Sequence, residues 1–295
     1  MKLRHALTST ALLIFLLSSG TLPAQTFPHG KEARKARNRF LMIGTGLGNY
    51  KSIDYATSPL LYSGTIYSGM AAYEVESFER VTFLRFRTSY GALKSNVETP
   101  WFNPRNLAAL ATFSYNTLFR LNHSNAWYLY LGPLALFDGQ FRVNTKYGNS
   151  ALTFNTLFSA GLSFRVQHPF EWKATSFKFL GIKFNRRDRK LALFSHVNLP
   201  VYNILFRPTY VTITNFIVPE MQMAITPEQI FGGTFSPLAV YIESGVSYYL
   251  QNNNALRFSY EWSFLQHNAG DNKIQSASHL FSFGLLLRFN PVKEN

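Results

Sequence analysis

The sequence predicts an all-β chain: a transmembrane, antiparallel up-and-down β-barrel of about twelve strands, with ten as the alternative count. Three observations carry this. Segments near the C-terminus alternate with a period of two, so that one face of each is apolar and the other mostly polar, as successive side chains of a strand must be. The apolar faces are rich in aromatics over roughly ten residues, about what a tilted strand needs to cross a bilayer. Composition agrees: aromatics make up 16% of 295 residues, with 28 Phe and 16 Tyr, yet mean hydropathy is only −0.05. An apolar exterior around a polar interior gives that combination.

The chain begins with a segment of secretory type. Lys2, Arg4 and His5 form a basic start, 11–17 an apolar run and 18–24 a small, polar end, so residues 1–24 read as a signal peptide. The apolar run is far shorter than the ~20 residues of a spanning helix. Residues 25–39 hold Lys31, Glu32, Arg34, Lys35, Arg37 and Arg39. They read as a solvated basic periplasmic tail, or as the docking site of an anionic periplasmic partner over 31–39. Cysteine is absent, so no disulfide or thiolate metal site supports the fold. The formal charge of +14 points to lipid and lipopolysaccharide phosphates or anionic solutes as partners rather than nucleic acid.

The barrel is expected over 40–290, followed by a short tail at 291–295. The first strand, 40–50, places Gly44, Gly46 and Gly48 on one parity, where they relieve crowding as the barrel closes on its last strand. A second strand follows at 61–75. In the third, 80–90, Leu84 and Phe86 face lipid and Arg85 and Arg87 must face inward, because Arg on the lipid face costs ~2–4 kcal/mol near the midplane. The fourth, 107–120, puts Phe113, Tyr115 and Phe119 outside. The fifth, 126–137, has ambiguous parity. The sixth, 151–166, turns Asn155, Ser159, Ser163 and Arg165 inward.

The middle is irregular. Strands seven and eight are expected at 176–184 and 191–197 about a tight basic loop at 185–190, and a ninth near 205–214. Pro200 and Pro208 make that region irregular or place it at a rim. A long loop spans 215–235. The last three strands lie between 238 and 289, with tight and longer connections at 251–254 and 266–275. Short and long connections alternate along most of the chain, which places both termini in the periplasm; 167–175 and 185–190 break the rhythm, and hence the alternative of ten.

The closing strand reads His279-Leu-Phe-Ser-Phe-Gly-Leu-Leu-Leu-Arg-Phe289. With the signal at 1–24 and the amphipathic segments from 40 to 290, the chain resembles the outer-membrane β-barrel proteins of Gram-negative bacteria, particularly those of Bacteroidetes. The resemblance implies residence in the cell outer membrane. It also implies recognition by the barrel-insertion machinery through the alternating Phe281, Phe283, Leu285, Leu287 and Phe289. It implies no substrate.

Function therefore rests on the lumen. Parity turns Arg85, Arg87, Arg165, Glu243, Arg257, Glu261 and Arg288 inward. Pairing Leu250 with Asn254 sets Glu243 against Glu261, and the next register out sets it against Ser263. The first is a like-charge pair that needs a cation, and Arg257 or Arg288 is expected to supply it. The arginine excess points to a passive, anion-preferring pore or a transport-related protein for small solutes. The alternative is a plugged structural or assembly barrel acting through its tail or loops. A lipid hydrolase is the third reading. Twelve strands match the outer-membrane phospholipases, which resemble one another in a Ser–His–Asn set near the rim; here the nearest group is Ser263 with His267 and Asn268, and Ser263 has the wrong parity. No catalytic residue, metal ligand set or cofactor motif is expected: no His or carboxylate cluster recurs at ligand spacing, and Gly44-Thr-Gly-Leu-Gly48 lacks the helix of a phosphate-binding loop.

Overall fold

The computed structural model describes residues 37–55, 58–97, 105–122, 126–144, 152–172, 175–179, 182–186, 189–207, 230–268 and 273–289. The expected signal peptide, most of the basic tail and the C-terminal tail lie outside these residues. Strands run β1 Asn38–Asp54, β2 Ser58–Glu76, β3 Arg80–Ser95, β4 Arg105–Arg120, β5 Tyr128–Val143, β6 Leu152–Trp172, β7 Thr175–Phe179, β8 Ile182–Arg186, β9 Arg189–Phe206, β10 Ile230–Thr234, β11 Leu238–Tyr249, β12 Ala255–His267 and β13 Ile274–Phe289. All pairings are antiparallel. The wall runs β1-β2-β3-β4-β5-β6-β9-β11-β12-β13, and β13 returns to β1 to close a barrel of ten strands.

Closure at β1–β13 depends on backbone approach. Gly44 faces Gly284 across the seam, and Gly48 faces Leu280. A Cβ on Gly48 would stand 2.0 Å from the His279 carbonyl oxygen, and one on Gly284 would stand 2.7 Å from Met42 Cε. Glycine at these positions admits the neighbouring strand and leaves room inside for Met42.

The count is ten rather than twelve for two physical reasons. The expected seventh strand is no part of the wall. β6 pairs with β9 as far as Trp172↔Arg189, and β7–β8 continues the same register from Thr175↔Arg186 to Phe179↔Ile182. Of the basic stretch 185–190, expected as a loop, the described residues lie on the returning strands β8 and β9, and the described residues of 167–175 lie in β6 and β7. β7 and β8 therefore lengthen one hairpin beyond the rim that carries both chain ends.

The expected eighth strand and the start of the ninth are a single strand, β9, which runs through Pro200. A register shift sets Ala160 against Tyr202 but Gly161 against Pro200, leaving Val201 as the extra residue of a bulge. The bulge reverses parity, so His196 and Pro200 point inward before it and Asn203 and Leu205 after it. Opposite the bulge the next wall strand is also broken. β10 pairs with Tyr202–Phe206 and β11 with Lys190–Asn198. Between them Phe235 adopts a positive φ of 53° and its N–H donates to the Val201 carbonyl at 2.7 Å.

The remaining wall alternates throughout. Leu84, Phe86, Phe113, Tyr115, Phe258, Phe281 and Phe283 are exposed on the outside. β5, ambiguous in the sequence, turns its even residues inward, from Tyr128 to Arg142. The buried core is the inside of the barrel, where Phe40, Met42, Met70 and Leu286 pack near the chain ends and Leu134, Leu136, Leu157, Leu205 and Leu265 pack farther along.

Candidate functional site

The candidate site is the lumen, where strand parity turns charged side chains into an interior that leaves them little exposed. A buried charge is tolerated only when paired and hydrogen-bonded, and the inward arginines are paired across the barrel in three sets.

The first set centres on Glu74 of β2, 1% exposed. Arg257 of β12 reaches its Oε2 with Nη1 at 2.9 Å, and its Nε donates to Ser247 Oγ at 2.9 Å. Arg165 of β6 stands 3.7 Å from the same carboxylate. Both guanidinium groups lie over the Phe194 ring, and Arg165 also lies over Phe83, at 4.8–5.0 Å. Weakly hydrated guanidinium groups suit such aromatic faces.

The second set crosses the middle. Glu243 and Glu261 are opposed on β11 and β12, in the register that joins Leu250 N–H to the Asn254 carbonyl at 2.7 Å. Their cations come from the facing wall. Arg85 meets Glu243 at 2.6 Å, and Arg87 meets both oxygens of Glu261 through its two terminal nitrogens. This corrects the expectation that Arg257 or Arg288 would serve the pair. Arg257 is held by Glu74, and Arg288 sits at the rim donating to Asn38 Oδ1 at 2.7 Å.

The third set lies toward the end away from the termini. Asp54 at the end of β1 takes Arg142 of β5 at 2.5 Å and also Arg207 just past β9. Arg142 donates to Ser52 Oγ as well, at 2.5 Å. Nearby, Tyr241 donates to Asp138 Oδ2 at 2.7 Å and Tyr50 to Gln140 Oε1 at 3.0 Å. Between the second and third sets remains a cavity of about 80 Å³ lined by Arg85, Arg87, Glu243, Glu261, Asp138 and Tyr241.

The structure thus gathers Arg85, Arg87, Glu243 and Glu261 into one cluster and Arg165 with Arg257 into another, and leaves Arg288 apart. Sequence reasoning missed Glu74, Asp54, Asp138, Arg142 and Arg207. The signal for most of them was present: Tyr50, Ser52 and Asp54 share a parity, as do Asp138, Gln140 and Arg142. The strands simply continue past the bilayer-length segments that hydropathy marks.

The residues weighed for hydrolysis do not meet. Ser263 Oγ hydrogen-bonds Ser278 Oγ inside at 2.7 Å, whereas His267 is buried against the Phe231 ring at 4.6 Å. On the outside, His279 Nδ1 hydrogen-bonds the Tyr260 hydroxyl at 2.6 Å. Among the described residues no group of three or more His, Cys, Asp or Glu is placed to hold a metal. The closing-strand residues Phe281, Phe283, Leu285 and Phe289 are exposed on the outer wall, with Leu287 half-buried beside them.

A closed barrel with its apolar side outward and its ion pairs inward has the polarity of a barrel solvated by lipid. No protein-family model and no curated protein matches the chain. Among solved structures it is similar to the transport unit of the autotransporter AIDA-I from Escherichia coli, at 10% identity over 96% of this chain and 98% of that one, with a TM-score of 0.37. It is similar to an outer membrane channel from Pseudomonas putida F1, at 10% identity over 91% and 100% with a TM-score of 0.34. It is also similar to Neisserial surface protein A, at 8% identity over 84% and 97% with a TM-score of 0.33.

Proposed function

We propose that this chain is an integral outer-membrane β-barrel whose lumen is closed, and that it works as a membrane-anchored platform through its ends rather than as a free-diffusion pore. The supporting observation is the set of ion pairs that cross the lumen, above all Arg85–Glu243 and Arg87–Glu261, which join β3 to strands on the facing wall. An open anion-selective pore needs its arginines free to meet permeating ions. Here Arg85 and Arg87 each meet a carboxylate of their own, Arg165 and Arg257 share that of Glu74, and clusters of buried apolar side chains pack inside the barrel on either side of them.

A membrane setting is favoured by the apolar exterior, by the Phe-terminated closing strand and by the signal-like residues 1–24. A narrow pore is the second reading, favoured by one observation: Arg85 and Arg87 keep 13% and 16% of their side-chain surface exposed beside the 80 Å³ cavity. Conductance of the refolded protein in a planar bilayer separates the two readings.

A further inference from the structure

Three of the first four strands carry a row of cations across the outer wall at the end away from the termini, with a serine of β2 between them. Lys51 of β1 is paired with Ser63 of β2, Ser63 with Lys94 of β3, and Lys94 with Arg105 of β4. Lys51, Lys94 and Arg105 are all exposed. Adjacent strands lie ~4.8 Å apart, so the row spans ~15 Å. Lys94 and Arg105 are direct cross-strand neighbours, an arrangement that like charges disfavour. Among the described residues no carboxylate faces outward from this half of β1–β4. Below the row the wall turns apolar through Leu47, Tyr67, Tyr90 and Leu107, all exposed, with the Tyr67 and Tyr90 rings 5.7 Å apart.

We propose that this face binds the phosphorylated saccharide head of an outer-leaflet glycolipid of the lipopolysaccharide class. Its phosphates would lie on Lys51, Lys94 and Arg105 and its acyl chains on the apolar wall beneath. The inference rests on the outer-membrane reading above. Three features favour this occupant. The cations are unopposed on their own face, so an anion relieves the Lys94–Arg105 repulsion. The row is wide enough for more than one phosphate. Ser63, Thr65 and Asn49 add neutral hydrogen-bonding groups of the kind a sugar uses, and Thr65 and Asn49 are exposed.

The test uses the full chain refolded into phosphatidylcholine vesicles, with folding read from heat-modifiable migration. Binding is then measured for a diphosphorylated glycolipid, the same lipid after dephosphorylation, and phosphatidylglycerol. The diphosphorylated lipid should bind at least about tenfold more tightly than the other two. The Lys51→Ala/Lys94→Ala/Arg105→Ala variant should lose that advantage, while Lys51→Arg/Lys94→Arg should keep it. Equal binding of the three lipids by a folded barrel, or undiminished preference in the alanine variant, overturns the proposal alone. Failure of the wild-type chain to insert overturns the membrane reading, and this proposal with it.

Discussion

Glu243 and Glu261 stand directly opposite one another on β11 and β12, and each is answered by an arginine from the far side of the barrel. With ten wall strands, β3 and β11 are five positions apart, which is half the circumference. Arg85–Glu243 is therefore a strut across the full width of the lumen. Opposed like charges need cations, and the shortest ion pair of each carboxylate comes from β3 rather than from the strands beside it.

Removing one end of a strut leaves an uncompensated buried charge. Arg85→Ala should destabilise the barrel by about 3 kcal/mol, and Glu243→Ala by a similar amount. The double variant should cost less than the two single losses added, with a coupling of about 1–3 kcal/mol. Urea unfolding of the micelle-refolded protein measures all three.

Glu74 serves two arginines, so its loss strands both. Glu74→Ala should be more destabilising than Arg165→Ala, because Arg165 stands 3.7 Å away whereas Arg257 makes the shorter contact at 2.9 Å. A loss of about 3–5 kcal/mol is expected for Glu74→Ala, read from the same unfolding curves.

The seam between β1 and β13 tolerates no side chain at Gly48, where a Cβ would meet the His279 carbonyl oxygen at 2.0 Å. Gly48→Val should part the strands there and reduce the heat-modifiable folded fraction. Gly69→Ala is the control, since its nearest neighbour would be 3.8 Å away; it should fold as wild type.

β7 and β8 extend a hairpin whose wall portion ends at Trp172↔Arg189. Replacing residues 173–188 with Asn-Gly gives that pair a two-residue turn. The shortened chain should fold into the same barrel, with its melting temperature shifted by no more than a few degrees and its β-sheet circular dichroism kept. Were 176–184 a wall strand, the deletion would leave an odd, unclosed sheet and abolish folding.

Much of the wall was legible because lipid and lumen impose opposite chemistry on alternate residues. The outward positions of Leu84, Phe86, Phe113, Tyr115 and Phe283 follow from parity alone. The middle was not legible, because a bulge destroys the very signal that parity provides. Val201 shifts β9 by one residue, and the break at 235–237 interrupts its neighbour, so one strand reads as two fragments. The hairpin at 175–186 alternates like a wall strand, and only its continuing register with β6 and β9 reveals that it lies beyond the rim. For the lumen, sequence identified Arg85, Arg87, Glu243 and Glu261 as inward residues. Which cation meets which carboxylate depends on circumference, and that in turn on the strand count.

Single-channel recording of the refolded, signal-less protein in a planar bilayer tests the closed-lumen account most directly. The account predicts a quiet trace from barrels whose folding is confirmed by heat-modifiability, and discrete openings only when Arg85→Ala and Arg87→Ala remove both central struts. Steady, anion-preferring conductance from the unmodified barrel would contradict it and establish the pore.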